Sequence, residues 1–138
     1  MRDRKLIILI FLIIILNLGH TVDHMARGDF RAPLSAEWVA SFAVTLVINS
    51  ILGFGLYFYL KNRVGPLFWA IIAGAGVAFA WLAHFSPFTD QPPQYIYRAY
   101  ELPAAGSLAV AWLVALVLVL IITALYAEYL WARRCDSN

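Results

Sequence analysis

Four long stretches of the chain consist almost entirely of apolar residues, and polar residues collect between them. The stretches cover about residues 5–25, 38–60, 65–85 and 103–131. Each reaches the roughly 20 residues that a helix needs to cross a hydrocarbon core about 30 Å thick. Their apolar residues form uninterrupted blocks without amphipathic spacing, so lipid must cover them. The pattern predicts an all-α, integral membrane four-helix bundle, a single transmembrane domain over residues 1–138.

The first stretch has to be distinguished from a cleaved signal peptide, because Arg2, Arg4 and Lys5 precede its apolar run. That run exceeds the usual signal core of about 7–15 residues, and no Ala-x-Ala-like cleavage site follows it. We therefore interpret it as a retained transmembrane helix.

The basic residues predict how the chain is oriented. Three of them, Arg27, Arg31 and Arg98, fall in the first and third loops. The other seven fall at the two termini and in the second loop: Arg2, Arg4, Lys5, Lys61, Arg63, Arg133 and Arg134. Since cytoplasmic loops carry the excess of Lys and Arg, we expect a multi-pass protein of the plasma (inner) membrane. Both termini would be cytoplasmic (N-in/C-in), and loops one and three would face outward.

Composition narrows the function classes. Hydrophobic residues make up 63% of the chain and charged residues 13%, against about half and about a quarter in soluble domains. The net charge of +2 is spread thinly, so no nucleic-acid partner is expected. The single cysteine, Cys135, permits no intrachain disulfide. The expected surroundings are a lipid bilayer, with a homo-oligomer or a larger membrane complex as alternative assemblies.

The third loop, about residues 86–101, is the only long one. Within and just after it, Tyr95, Ile96, Ala99 and Leu102 have the spacing of a short interfacial helix that starts after Asp90 or Gln91. A surface turn anchored by tyrosines is the alternative.

Small residues four positions apart predict the faces on which membrane helices pack. The third stretch carries two such series, Ala70, Gly74 and Ala78 on one side, and Gly76, Ala80 and His84 on another. By contrast, the first stretch is bulky Ile and Leu as far as Asn17, and we expect it to be the most lipid-exposed helix. Asn17 and Asn49 are candidates for an interhelical hydrogen bond.

A group of polar residues in the last turns of the first stretch is the most informative feature. At 100° per residue, Asn17, His20 and His24 lie on one helix face, with Asp23 at its edge. The third stretch runs outward and ends at His84, so all three histidines are expected at the outer boundary.

Imidazoles at positions i and i+4 can bind one metal ion, although the His-Glu-x-x-His motif is absent here. The third ligand could be His84, Asp23, Asp90 or Glu101, a nitrogen and oxygen set suited to zinc or copper. Haem b, held by His84 and one histidine of the first stretch, is a second cofactor hypothesis. The alternative to both is a set of interfacial histidines bonded to water, Asp23, Glu37 or loop carbonyls.

From these patterns alone we favour a structural or accessory component of a membrane complex, because short loops leave little mass outside the bilayer. A metalloprotein that binds a transition-metal ion or haem is the alternative. A small transporter or channel subunit is a second alternative, which the lack of a charge in the middle of any stretch disfavours. We assign no enzyme activity and no catalytic residue, since no Gly-x-Ser-x-Gly turn or complete triad is present.

Overall fold

The computed structural model describes residues 2–28 and 36–135, and every regular element in these residues is an α-helix. The helices are α1 (Arg4–Arg27), α2 (Ala36–Leu60), α3 (Pro66–His84), α4 (Pro93–Arg98) and α5 (Pro103–Cys135). Four of them, α1, α2, α3 and α5, are long and apolar enough to cross a membrane. The four long predicted helices are thus confirmed. The third loop contains a short helix as predicted, but α4 ends at Arg98, before Ala99 and Leu102.

Local chemistry explains where α1 begins and ends and where α3 begins. The Asp3 carboxylate accepts a hydrogen bond from the Leu6 amide at 2.9 Å and so caps the start of α1. Gly28 ends α1 in the left-handed region at φ 86°, a conformation that glycine adopts without steric cost. Pro66 occupies the first turn of α3, where its missing N–H is not needed.

The long helices run alternately up and down. α1 and α2 are antiparallel, because the Asp3 amide donates to the Tyr59 hydroxyl where α1 begins and α2 ends, and Asn17 bonds to Asn49 near the middle of the two helices. α5 packs against both α1 and α3, and α4 packs on the first turns of α5. The last turns of α1 and α3 therefore lie together beside α4. We call this end of the bundle, which contains His20, His24 and His84, the histidine end.

The core contradicts one expectation about α1. Leu6, Ile10 and Ile13 are at most 2% exposed and belong to the main hydrophobic cluster. The apolar window of α1 is 17% buried, the same share as that of α2, so the prediction that α1 is the most lipid-exposed helix is wrong. A helix that is apolar all round does not reveal from sequence which face meets its neighbours.

Only one of the two small-residue series on α3 packs closely. A Cβ added at Gly76 would lie 3.1 Å from the Leu120 side chain, and Ala80 and His84 are buried. Around a Cβ added at Gly74, no atom of the described residues lies within 4 Å, and Ala78 is exposed. The Gly76 series is therefore the face that meets α5.

α4 is held against α5 by one apolar contact and one close backbone approach. Ile96 is fully buried and clusters with Ala109 and Leu113. A Cβ at Gly106 would collide with the backbone carbonyl of Tyr97, so glycine is required for α4 to sit this close. This docking fixes the third loop over the histidine end.

Candidate metal centre

The three histidines meet at the histidine end. The Nε2 atom of His20 lies 3.1 Å from Nε2 of His24 and 3.2 Å from Nε2 of His84. One nitrogen from each ring can be chosen so that all three lie within 4.8 Å of one another. His84 is only 4% exposed, and His20 and His24 are partly buried. The structure thus brings together residues that are 64 positions apart in sequence.

His84 is oriented by the third loop. Its Nδ1 atom lies 3.0 Å from the backbone carbonyl oxygen of Gln91. A carbonyl only accepts, so Nδ1 carries the proton and the Nε2 lone pair faces His20. Thr89 holds this part of the loop, since its hydroxyl donates to the Ala83 carbonyl and accepts from the Gln91 amide. The predicted bond from a histidine to a loop carbonyl is therefore present.

His24 has the opposite arrangement of its ring nitrogens. Nη2 of Arg27 lies 3.1 Å from His24 Nδ1. A guanidinium has donors only, so Nδ1 accepts and the proton of the neutral ring is on Nε2, toward His20. Two of the three rings thus have their tautomers set by neighbours that are not histidines.

His20 cannot satisfy both neighbours through hydrogen bonds. Its Nε2 faces an N–H of His24 and a lone pair of His84, and a ring nitrogen of a neutral imidazole either donates or accepts. If it accepts from His24, two lone pairs face each other across 3.2 Å on the side of His84. Among neutral rings the two contacts are therefore not both hydrogen bonds, whereas a cation between the rings would attract every lone pair directed at it.

Asp23 lies on the other side of the His20 ring. Its Oδ2 atom is 4.0 Å from His20 Nδ1 and 3.0 Å from Nε of Arg27, whose side chain is fully buried. Its Oδ1 atom accepts a hydrogen bond from the Tyr100 hydroxyl at 2.5 Å. The carboxylate thus faces Nδ1 of His20, where it can orient the ring and balance positive charge without being one of the converging ligand atoms.

The other predicted supporting residues do not join the cluster. Asn17 lies one turn before His20 and donates its side-chain amide to Asn49 at 3.1 Å, which confirms the predicted interhelical bond. Asp90 and Glu101 are exposed. Among the described residues, the compact group of candidate ligands is His20, His24 and His84. Glu37 lies at a position whose side chain is outside the described part of the structure.

Three contributors to the site were missed from the sequence: Arg27, Tyr100 and the Gln91 carbonyl. The sequence did indicate a role for Arg27, because this residue follows His24 by three positions and Asp23 by four. These are the spacings at which side chains of one helix meet. Tyr100 reaches Asp23 across 77 positions. That contact, like the one from Gln91, depends on how the loop and α4 fold, and no local pattern indicates it.

The two nitrogen separations about His20 fit a small tetrahedral ion. Two ligands bonded to zinc at about 2.0–2.1 Å in tetrahedral geometry are about 3.3 Å apart. The observed separations of 3.1 and 3.2 Å are close to this value. Three histidine ligands would leave the fourth coordination position for water or another small ligand.

Haem fits the His20 and His84 pair poorly. Axial ligands on opposite sides of an iron are separated by two bonds of about 2.0 Å, hence about 4 Å, with the macrocycle between them. Nε2 of His84 is 3.2 Å from that of His20, which in turn is 3.1 Å from that of His24. The rings would have to separate before a porphyrin could enter.

Comparisons of the chain with protein-family models, with curated proteins and with solved structures give no match. The chemistry of the histidine end therefore has to be argued from the residues of this chain.

Proposed function

We propose that this chain is a multi-pass membrane protein that binds one divalent transition-metal ion through Nε2 of His20, His24 and His84. The observation that carries the proposal is the convergence of three imidazole nitrogens, with separations of 3.1 and 3.2 Å about His20. Imidazole suits zinc and copper, and these are the ions we expect.

Insertion into the membrane is supported by the four apolar helices and by the side chains they leave exposed. Phe54 of α2 is 65% exposed, Ile71 of α3 60% and Leu125 of α5 63%. Large apolar surface of this kind requires lipid or another protein chain to cover it. The distribution of Lys and Arg favours cytoplasmic termini, with the metal centre at the outer boundary of the plasma (inner) membrane.

The orientation of two of the rings is the one that a metal ligand set requires. His84 donates its Nδ1 proton to a backbone carbonyl, the arrangement by which metal-bound histidines are commonly oriented. The Asp23 carboxylate faces Nδ1 of His20, the same ring nitrogen that the carbonyl contacts in His84. At 4.0 Å this contact is longer than a hydrogen bond. Both rings therefore present Nε2 toward the centre of the cluster.

Metal analysis of the purified protein tests the proposal. The protein in detergent is stripped with a chelator, loaded with zinc or copper, and freed of excess ion before the bound metal is measured. We expect one ion per chain, and its loss in His20→Ala, His24→Ala and His84→Ala. Removing a ligand should weaken binding by more than the roughly 10- to 100-fold caused by losing an outer hydrogen-bond partner.

Asn17→Ala is the matched control, because it removes a polar side chain one turn from His20 that is bonded to Asn49. This variant should still bind one ion. Wild-type protein that takes up neither ion, or a variant without all three histidines that still binds, would refute the metal assignment.

A structural role in a larger membrane complex is the second candidate. An open groove of about 570 Å³ between α2 and α3 is lined by apolar side chains such as Leu46, Phe54 and Phe68. A transmembrane helix of another chain would fit this apolar surface. The mass of the protein after mild detergent extraction tests this role, since a complex should exceed the monomer and a purely monomeric species would contradict it.

A further inference from the structure

We infer that Arg27 is a latch on the metal centre: the ion binds only when Arg27 withdraws from His24, and Arg27 thereby limits how tightly the ion is held. This inference rests on the proposed metal site and adds a regulatory contact to it. Its basis is a difference between the three rings in where their protons lie.

His84 is already in the tautomer that metal binding requires. Its Nδ1 proton is donated to the Gln91 carbonyl, so its Nε2 is a bare lone pair. His20 can adopt the same tautomer, because its Nδ1 faces the Asp23 carboxylate and its Nε2 faces the cluster. Neither ring has to move its proton when an ion enters.

His24 is in the wrong tautomer for binding the ion. The guanidinium of Arg27 donates to its Nδ1 at 3.1 Å, which places the ring proton on Nε2, the nitrogen that points into the cluster. To bind an ion through Nε2, the ring must move that proton to Nδ1. An N–H at Nδ1 would then face an N–H of Arg27 at hydrogen-bond distance, so the guanidinium has to leave.

Arg27 has a second partner, Asp23, besides His24. Its Nε donates to Oδ2 of Asp23 at 3.0 Å, independently of the contact that Nη2 makes with His24. The guanidinium is planar and rigid, so it leaves His24 as one unit, and the Asp23 carboxylate is the anionic partner that can hold it nearby. Asp23 is in turn fixed by Tyr100, so the latch is connected to the segment between α4 and α5.

The site therefore has a closed state, in which Arg27 bonds His24, and a metal-bound state, in which it does not. The ligand competes with a hydrogen bond from a charged donor, so removing that donor should tighten metal binding. Charge-assisted hydrogen bonds of this kind correspond to about a 10- to 100-fold change in an equilibrium constant.

Two measurements on the full chain in detergent test the latch. The first uses ¹⁵N-labelled histidine and NMR to determine the tautomer of each ring before and after zinc is added. We expect His24 to change from the Nε2–H to the Nδ1–H form on loading, while His84 keeps its Nδ1 proton throughout. This readout needs no variant and does not depend on how a substitution affects folding.

The second measurement is zinc affinity in Arg27→Met, with Arg98→Met as the control. Arg98 is an exposed arginine of α4, so its replacement removes the same charge from the same end of the bundle. We expect zinc to bind at least about tenfold more tightly to Arg27→Met than to wild type, and Arg98→Met to change affinity much less.

The outcomes separate the latch from the metal site itself. Wild-type protein that binds neither zinc nor copper overturns both. If zinc binds at the three histidines but His24 already carries its proton on Nδ1 before zinc is added, the latch is refuted and the metal site remains. An equal rise in zinc affinity in Arg27→Met and Arg98→Met also refutes the latch. The rise would then come from the loss of a positive charge and not from the loss of the contact between Arg27 and His24.

Discussion

At the scale of single residues, the metal centre depends on neighbours that decide which nitrogen of each ring is available. The Gln91 carbonyl and the Arg27 guanidinium act in opposite directions on His84 and His24. The sequence indicated the three histidines, because helix direction alone carries His84 to the end of the bundle that contains His20. It could not indicate the ring orientations, which depend on a loop carbonyl and on a tyrosine 77 positions away from its partner.

Asp23→Asn tests the role assigned to this carboxylate as an orienting group. The substitution keeps the size of the side chain but removes the charge that faces His20 and pairs with Arg27. We expect zinc affinity to fall by about 10- to 100-fold, the range for lost outer partners of a metal ligand. Calorimetric titration of the purified variant with zinc measures this change.

Tyr100→Phe is the control for Asp23→Asn, since it removes one hydrogen bond to the carboxylate and leaves the charge in place. Its effect on affinity should be the smaller of the two. Unchanged zinc binding in Asp23→Asn would mean that the carboxylate serves only the ion pair with Arg27.

At the scale of elements, hydrophobic patterning was sufficient to locate the four long helices. The third stretch, predicted over about residues 65–85, is α3 at Pro66–His84, and the fourth, predicted over 103–131, continues to Cys135. The face on which each helix packs was harder to predict. On α3, small residues marked the packed face at Gly76 but also an unpacked face at Gly74. On α1, the uniform Ile and Leu gave no indication of which face is buried.

Gly106→Ala tests whether the docking of α4 supports the metal centre. The new methyl group would collide with the Tyr97 carbonyl, a backbone atom that cannot move without shifting α4. We expect a loss of about 1–3 kcal/mol in the free energy of unfolding, as for other overpacked sites. Zinc binding should also weaken, because Gln91 and Tyr100 flank α4. Thermal melting in detergent and a zinc titration provide the two readouts.

Gly74→Ala is the matched control, since it places the same methyl group on a long helix where nothing lies within 4 Å. We expect no loss of stability, because alanine is the better helix former. If Gly106→Ala behaves like Gly74→Ala in both assays, the close approach of α4 is not needed for the site.

At the scale of the whole molecule, the antiparallel order of the long helices places the last turns of α1 and α3 at one end and the C-terminal part of α5 at the other. The Lys and Arg residues, seven of which lie at the termini and in the second loop, favour the cytoplasm for the end opposite the histidines.

Cys135 provides a test of the orientation, because it is exposed and is the single cysteine of the chain. In intact cells it should react with a membrane-permeant thiol reagent and resist an impermeant one, and permeabilised cells should allow both reactions. Labelling of intact cells by the impermeant reagent would place the C-terminus outside. The histidine end would then face the cytoplasm.

X-ray absorption of the zinc-loaded protein is the most direct test of the central claim. It reports the atoms bound to the ion and their distances. Our account predicts three imidazole nitrogens at about 2.0–2.1 Å, with one further light ligand completing a tetrahedral shell. A shell of oxygen ligands without imidazole scattering, or a protein that retains no zinc to measure, would contradict it.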